Sequence, residues 1–298
     1  MNKSLLLPAL CFASLLGLTY WFKHQTCPCE SSVAAVPSVA TPVSTLQIAD
    51  GEAFQSLTAQ HQLVFGKSGF EHRSPVSGDV NQVVKQTADY LKVHPDRSMN
   101  IRGLYMYQEK NTGIFSNLGL ARANNVKMMF TTLGVVPTQI TTDALMQPGM
   151  SFAGDSLVGG AAFSFTGMAK PDHATDYKLA TIEKKLRATP FILYFGSNQK
   201  ELNLTEDQRQ NFSDLIYYLE HKTGSSVMSV GHTDNVGQLA SNMTLSNERA
   251  AFVKEYLTKN GINTQQIKTE GKGSTKPITS NDSEAARAKN RRVEISIE

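Results

Sequence analysis

A twenty-five-residue segment of this chain has a similar counterpart further along it. The segment LGLARANNVKMMFTTLGVVPTQITT, Leu118 to Thr142, lies over LSNERAAFVKEYLTKNGINTQQIKT, Leu245 to Thr269, without a gap and with ten identical positions. The flanks agree as well: LVFGKS at Leu63 with LYFGSN at Leu193, and AAFSFTG at Ala161 with RRVEISI at Arg291. Similarity that recurs in the middle and at both edges reads as an internal duplication, which obliges the chain to build one supersecondary unit twice.

The unit itself is legible in the second copy. FILYF is a short apolar strand. Phe212, Leu215, Ile216 and Leu219 recur at helical spacing, with Thr205 as N-cap and Gly224 as stop. SSVMSVGHT is a second strand, SNERAAFVKEYLTKNG a second helix beginning near Ser246 and ended by Gly261, and QIKTEG and RRVEISIE complete the sheet. In the first copy Val80, Val83, Val84 and Leu91 form the corresponding helical face. The expected fold class is α+β, with two tandem β-α-β-α-β sandwich domains over residues 46–170 and 176–298, each with helices on one side of a small mixed sheet.

The first 45 residues read differently. After Lys3, an uncharged and mostly apolar run extends from Leu5 to Phe22, closed by Tyr20 and Trp21 as an interfacial pair would close it. The run just reaches the ~18 residues of a membrane helix, so residues 1–24 are expected to be a signal anchor. The alternative is a cleaved signal peptide that leaves the chain in the periplasm or at the outer membrane. Residues 25–45 read as a Cys-containing, Pro-, Ser- and Ala-rich linker, whose Ser31–Thr45 part spans up to roughly 50 Å when extended. Cys27 and Cys29 are too close for an unstrained bridge to each other. They stand either as free thiols or as partners of a second copy in an intermolecular disulfide, which would make a homodimer.

A net charge of +3 on 298 residues gives no reason to expect nucleic acid as a partner. No Ser/His/Asp, Cys/His or metal constellation is evident, so neither an enzyme nor a cofactor is expected. What remains is GHTDNVGQLASNMTLSNERA, Gly231 to Ala250, where Asp234 and Arg249 flank a run of small polar residues. The pair could be a structural ion pair, a catalytic pair, or two halves of a site for a zwitterion. His232 has no second ligand nearby and reads as a packed or hydrogen-bonded strand residue. GKGST at Gly271 lacks the earlier glycine of a phosphate loop and reads as a turn.

GHTDNVG, the Asn242–Ala250 segment with LS and RA in register, GINTQQIKTEGKGSTKPI and RAKNRRVEI together resemble the OmpA-like peptidoglycan-binding domain of OmpA-type proteins, Pal lipoproteins and MotB. The resemblance covers about Pro190 to Glu298. It implies a site for the diaminopimelate of the wall's peptide stem. Asp234 would accept from the ammonium and Arg249 would grip the carboxylate with a fork that Lys cannot reproduce. Thr233, Asn235, Asn242, Leu245, Arg291 and Val293 would line or support the pocket. With a helix starting near Ser246, Arg249 would lie in its first turn.

The first copy departs from this pattern. Arg122 matches Arg249, but Tyr107 or Met106 stands at the Asp position, and GGAAFSF replaces the arginine-bearing segment. The fold is expected to survive there without the diaminopimelate site, leaving residues 46–170 to act as a spacer, a dimerisation surface or a docking site for an envelope protein. The expected function is a non-enzymatic tether held in the inner membrane, with its bulk in the periplasm and peptidoglycan as its partner. The alternative is a structural subunit of an envelope-spanning secretion apparatus or motor whose domains mainly bind proteins.

Overall fold

The computed structural model describes residues 45–51, 54–167, 173–196 and 204–298, all within one compact unit, Pro42–Glu298. The expected anchor at residues 1–24, the thiols Cys27 and Cys29 and the linker up to Ser44 lie outside the described residues. Among the described residues no helix is long and apolar enough to cross a membrane.

The second half is built on a four-stranded mixed sheet. Its strands are β9 (Phe191–Tyr194), β10 (Val227–Gly231), β11 (Ile267–Gly271) and β12 (Arg292–Ile297), in the order β11-β10-β12-β9. β10 runs parallel to β11 and antiparallel to β12. Parallel neighbours need a crossover, and helix α5 (Leu239–Lys259) supplies it. Helix α4 (Glu206–His221) begins at a capping box in which Thr205 Oγ1 accepts from the Gln208 amide, and Gln208 reaches back to the Thr205 amide. Its stripe of Phe212, Leu215, Ile216 and Leu219 is buried as the spacing predicts. Helix α5 starts at Leu239, seven residues before the expected Ser246, and ends ahead of Gly261, whose φ is +101°.

The first half repeats the central part of this arrangement. β4 (Arg97–Tyr105) lies between β5 (Ile140–Met146), to which it is parallel, and β8 (Ala161–Gly167), to which it is antiparallel. Helices α1 (Gly78–Val93) and α2 (Leu118–Thr132) bury Val80, Val83, Val84, Leu91, Val126 and Phe130. A hairpin of β1 (Leu46–Asp50) and β2 (Phe54–Ala59) precedes them. The edge strand differs between the halves. β3 (Val64–Gly66), the counterpart in sequence of β9, does not join β8. It pairs with β7 (Ser156–Val158), which itself pairs with β6 (Phe152–Ala153). The hairpin between β5 and β8 captures β3 into a separate three-stranded sheet.

The described residues of the two halves share a core. Helix α3 (His173–Ala188) begins before the expected boundary at 176, and it sends Ile182 and Leu186 into the core of the second half. Phe70, Ile114, Phe115, Leu118 and Ala121 of the first half belong to that same core. Polar contacts close the seam. Fully buried Asn260 accepts from the Ile114 amide at 3.1 Å, and Tyr256 Oη donates to Thr112 O at 2.9 Å. Arg209 Nη1 donates to Phe115 O at 3.2 Å, and Lys127 Nζ pairs with Glu220 at 2.7 Å. A core shared in this way couples the unfolding of its parts. Both halves are therefore expected to melt in one urea transition followed by circular dichroism. Asn260→Ala, which leaves a buried amide unpaired, should destabilise it by about 1–3 kcal/mol.

Candidate functional site

Two glycines position the site. Gly231 ends β10 and lies beside Gly271 of β11. A Cβ at Gly231 would stand 2.0 Å from the carbonyl oxygen of Ser246, and one at Gly271 would stand 2.6 Å from the Ser246 hydroxyl. Only the absence of both side chains lets α5 sit this close to the sheet. Ser246 Oγ accepts from the Gly273 amide at 2.9 Å and donates to Met243 O at 2.8 Å, fixing the helix in the notch. Asn242, Leu245 and Arg249 then share a helix face, above the 232–234 segment that leaves β10.

Arg249 is thus in the middle of α5, not in a first turn. A cation in a first turn would be disfavoured by the helix dipole, and Arg249 is not so placed. Its Nη1 donates to His232 O at 3.0 Å, and its guanidinium carbon lies 5.7 Å from the centre of the Phe195 ring. Burial lowers its pKa, with the charge of Arg291 adding and that of Asp234 opposing. No carboxylate among the described residues pairs with it.

Asp234 is bonded elsewhere. Its Oδ2 accepts from Arg291 Nη1 at 2.9 Å, and its Oδ1 accepts from the Val236 amide at 3.1 Å. A direct Asp234–Arg249 ion pair is therefore not how the chain uses these two charges. The side chain of Arg291 is 11% exposed and that of Asp234 13%. The second arm of Arg291, Nη2, reaches Glu284 at 2.8 Å. Burial works to lower the pKa of Arg291, but its hydrogen bonds to Asp234 and Glu284 raise it.

Three buried polar atoms here have no hydrogen-bond partner among the described residues: Thr233 Oγ1, Asn242 Nδ2 and Arg291 Nε. Thr233 and Asn242 are brought together by Gly273, whose carbonyl accepts from the Thr233 amide at 3.0 Å and whose Cβ position lies 3.5 Å from the Asn242 carbonyl carbon. The remaining expected residues are placed differently. Asn235 and Leu245 are exposed, and the Asn235 amide donates to Asn281 Oδ1 at 3.3 Å. Val293 faces the core and pairs with Gly231 and Leu193 across the sheet, so it supports the site from beneath.

Sequence reasoning missed Glu284, Ser246, Phe195 and Asn290. Asn290 is fully buried, accepts from the Ile278 amide at 2.9 Å and donates to Thr279 O at 3.0 Å, so it fastens the 278–281 loop beside Asp234. Glu284 opens the short helix α6 (Glu284–Asn290), whose N-cap, Ser283, was readable from its position before an Ala-rich run. GKGST is a turn, with the Thr275 amide donating to Lys272 O at 3.2 Å.

The His232 ring is packed: both ring nitrogens are buried without a hydrogen bond among the described residues, and Nε2 lies 3.8 Å from Glu294 Oε1. Burial, reinforced by the charge of Arg292, lowers its pKa from 6.5 to about 4. The unfolded chain therefore binds more protons than the folded one between these values. The stability contributed is full above about pH 6.5 and falls as the pH drops towards 4, by at most about 3 kcal/mol. The difference in urea midpoint between pH 7.5 and 4.5 should shrink in His232→Gln by a corresponding amount.

The OmpA family model matches residues 194–291, and this segment is an OmpA family domain. Outer membrane protein A of Bordetella avium is 53% identical over 72 residues, 24% of this chain and 37% of that protein. The peptidoglycan-associated lipoprotein of Buchnera aphidicola is 37% identical over 115 residues, 39% of this chain and 64% of that protein. The chain thus spans less than two thirds of the length of either relative. The crystal structure of the peptidoglycan-associated lipoprotein from Burkholderia pseudomallei aligns over 37% of this chain and 92% of its own, with 23% identity and a TM-score of 0.33.

Proposed function

We propose that the chain binds peptidoglycan non-covalently through the second half, taking the diaminopimelate of the stem peptide between Asp234 and Arg249 and tethering a membrane to the wall. The observation that carries this reading is the state of the two charges. They interact electrostatically yet are not bonded to each other: Asp234 pairs with Arg291, and the only hydrogen bond of Arg249 within the described residues goes to a main-chain carbonyl. A substituent bearing an ammonium and a carboxylate on one carbon supplies what each lacks. The carboxylate takes the free edge of the guanidinium and the ammonium takes the remaining lone pairs of Asp234. Thr233 Oγ1, Asn242 Nδ2 and Arg291 Nε lie ready to bind the rest. The relative named for its association with peptidoglycan supports the same substrate class.

In this reading the first half is a duplicated copy that kept the frame and lost the site. In support, Met106 is three residues beyond Gly103 as Asp234 is beyond Gly231, and Gly159 is two before the Ala161 that pairs with Gly103, as Arg291 is two before the Val293 that pairs with Gly231. An anchor at residues 1–24 would hold the chain in the inner membrane with both halves in the periplasm. The reading as a subunit of an envelope machine draws on a separate observation. The equivalent end of the first half exposes Tyr107 at 76%, Met146 at 49% and Leu145 at 45%, an apolar surface suited to a protein partner.

Sedimentation of the chain with isolated diaminopimelate-type peptidoglycan tests the site. Asp234→Ala and Arg249→Lys, each folded by circular dichroism, should raise the apparent Kd by roughly 30-fold or more, the loss expected when one partner of a buried charge contact is removed. Free diaminopimelate should compete the wild type off the wall. Equal sedimentation of all three proteins would move the search to protein partners.

A further inference from the structure

The first half carries a guanidinium at the place of Arg249, and the two sites correspond in detail. Arg122 Nη1 donates to Leu104 O at 2.8 Å, as Arg249 Nη1 donates to His232 O at 3.0 Å, each carbonyl being one residue beyond the glycine against which the helix packs. The Arg122 guanidinium carbon lies 5.4 Å from the centre of the Phe65 ring, as that of Arg249 lies 5.7 Å from Phe195, the same residue of the matched LVFG and LYFG segments. The amides of Leu104 and His232 are received at 2.8 Å by Gly160 O and Arg292 O, which are also equivalent.

The difference is a carboxylate. Arg122 Nη2 meets Glu109 Oε1 at 2.6 Å and Nη1 meets Oε2 at 3.2 Å, in a forked contact whose two side chains are 0% and 1% exposed. The backbone amides of Met106 and Ser68 donate to the same carboxylate at 2.9 and 3.2 Å. The carbonyl of Gly69 holds Arg122 Nε at 3.0 Å. Burial alone would raise the pKa of Glu109, but the Arg122 fork and the two amides outweigh it and hold the carboxyl below its ordinary range. Four N–H donors converge on two oxygens, which is the coordination a buried carboxylate requires.

We infer that the first half retains a carboxylate-binding site built on Arg122 and the Met106 and Ser68 amides, and that the chain's own Glu109 occupies it as an internal ligand. The identification of Glu109 with a bound carboxylate rests on the reading of Arg249 given above. The first half is then closed to an external stem peptide, and the chain grips the wall at one point and not two.

Removing the internal ligand while leaving its cradle tests this. Glu109→Ala should lower the urea midpoint of the purified chain. Formate should restore it saturably, raising the folding equilibrium constant about elevenfold at ten times its Kd. Chloride at equal ionic strength should not do so, and neither the wild type nor Glu109→Gln, where the site is still filled, should respond to formate. Should Glu109→Ala fail to fold in chloride, recovery from urea in formate against chloride reads the same effect. A formate response absent from Glu109→Ala, or equal in the wild type, overturns the inference. The response uses neither Asp234 nor Arg249, so it should persist in an Asp234→Ala background. A wild type that does not sediment with the wall, or wall binding that survives Asp234→Ala, with the formate effect intact therefore sinks only the reading of the second half. Glu109→Gln should sediment with peptidoglycan as the wild type does, and a gain of wall binding by Glu109→Gln would also overturn the inference.

Discussion

The carbonyl oxygen of Ser246 occupies the place where a side chain at position 231 would have to stand. Everything that gives the second half its site depends on that contact. With Gly231 and Gly271 both bare, α5 drops into the sheet at Ser246, and a rigid helix then carries Asn242 and Arg249 to fixed heights above the end of β10. The first half repeats the device: a Cβ at Gly103 would stand 1.8 Å from the carbonyl oxygen of Gly119. A backbone-to-backbone contact of this kind admits no side chain of either partner as a spacer, so it sets the distance more firmly than side-chain packing does.

Charges brought this far from water need partners, and the second half distributes them unevenly. Arg291 divides its two arms between Asp234 and Glu284, and Arg292 is held by Glu294 and the carbonyl of Lys276. Arg249 alone among these three arginines has no carboxylate. Its neighbours Thr233, Asn242 and Arg291 each leave one buried atom unbonded. Buried polar groups without partners cost free energy. In the proposed reading a bound zwitterion completes the network.

How much of this was legible follows from what each feature depends on. The elements were readable because they rest on local periodicity and caps: Thr205, the stripe from Phe212 to Leu219 and the Gly261 stop behave as their spacing implies. The early start of α5 was not, because QLASNMT is polar and only its docking over Gly231 makes it helical. Asp234 and Arg249 were found through motif register. The partner of Asp234, Arg291, lies fifty-seven residues away, and no spacing rule connects them. The same holds for the shared core. Ile114, Phe115 and Leu118 look like an ordinary apolar stretch of the first half, and nothing local says that Asn260 and Arg209 will receive their backbone.

Glu109 shows the limit most clearly. In a linear alignment the first half has lost its acid, because Tyr107, or Met106 by the sheet register, stands where Asp234 does. In three dimensions it has gained one, three residues further on and directed at the opposite end of the problem. Asp234 would serve an ammonium, whereas Glu109 satisfies the guanidinium. Losing the acceptor for a ligand while supplying the ligand's carboxylate internally removes any need for the ligand, and it leaves a fully paired, buried fork in its place. In the proposed reading the first half is thus not an idle copy: the Arg122–Glu109 fork is a fixed part of its core, and the two halves meet through Asn260, Tyr256 and Arg209.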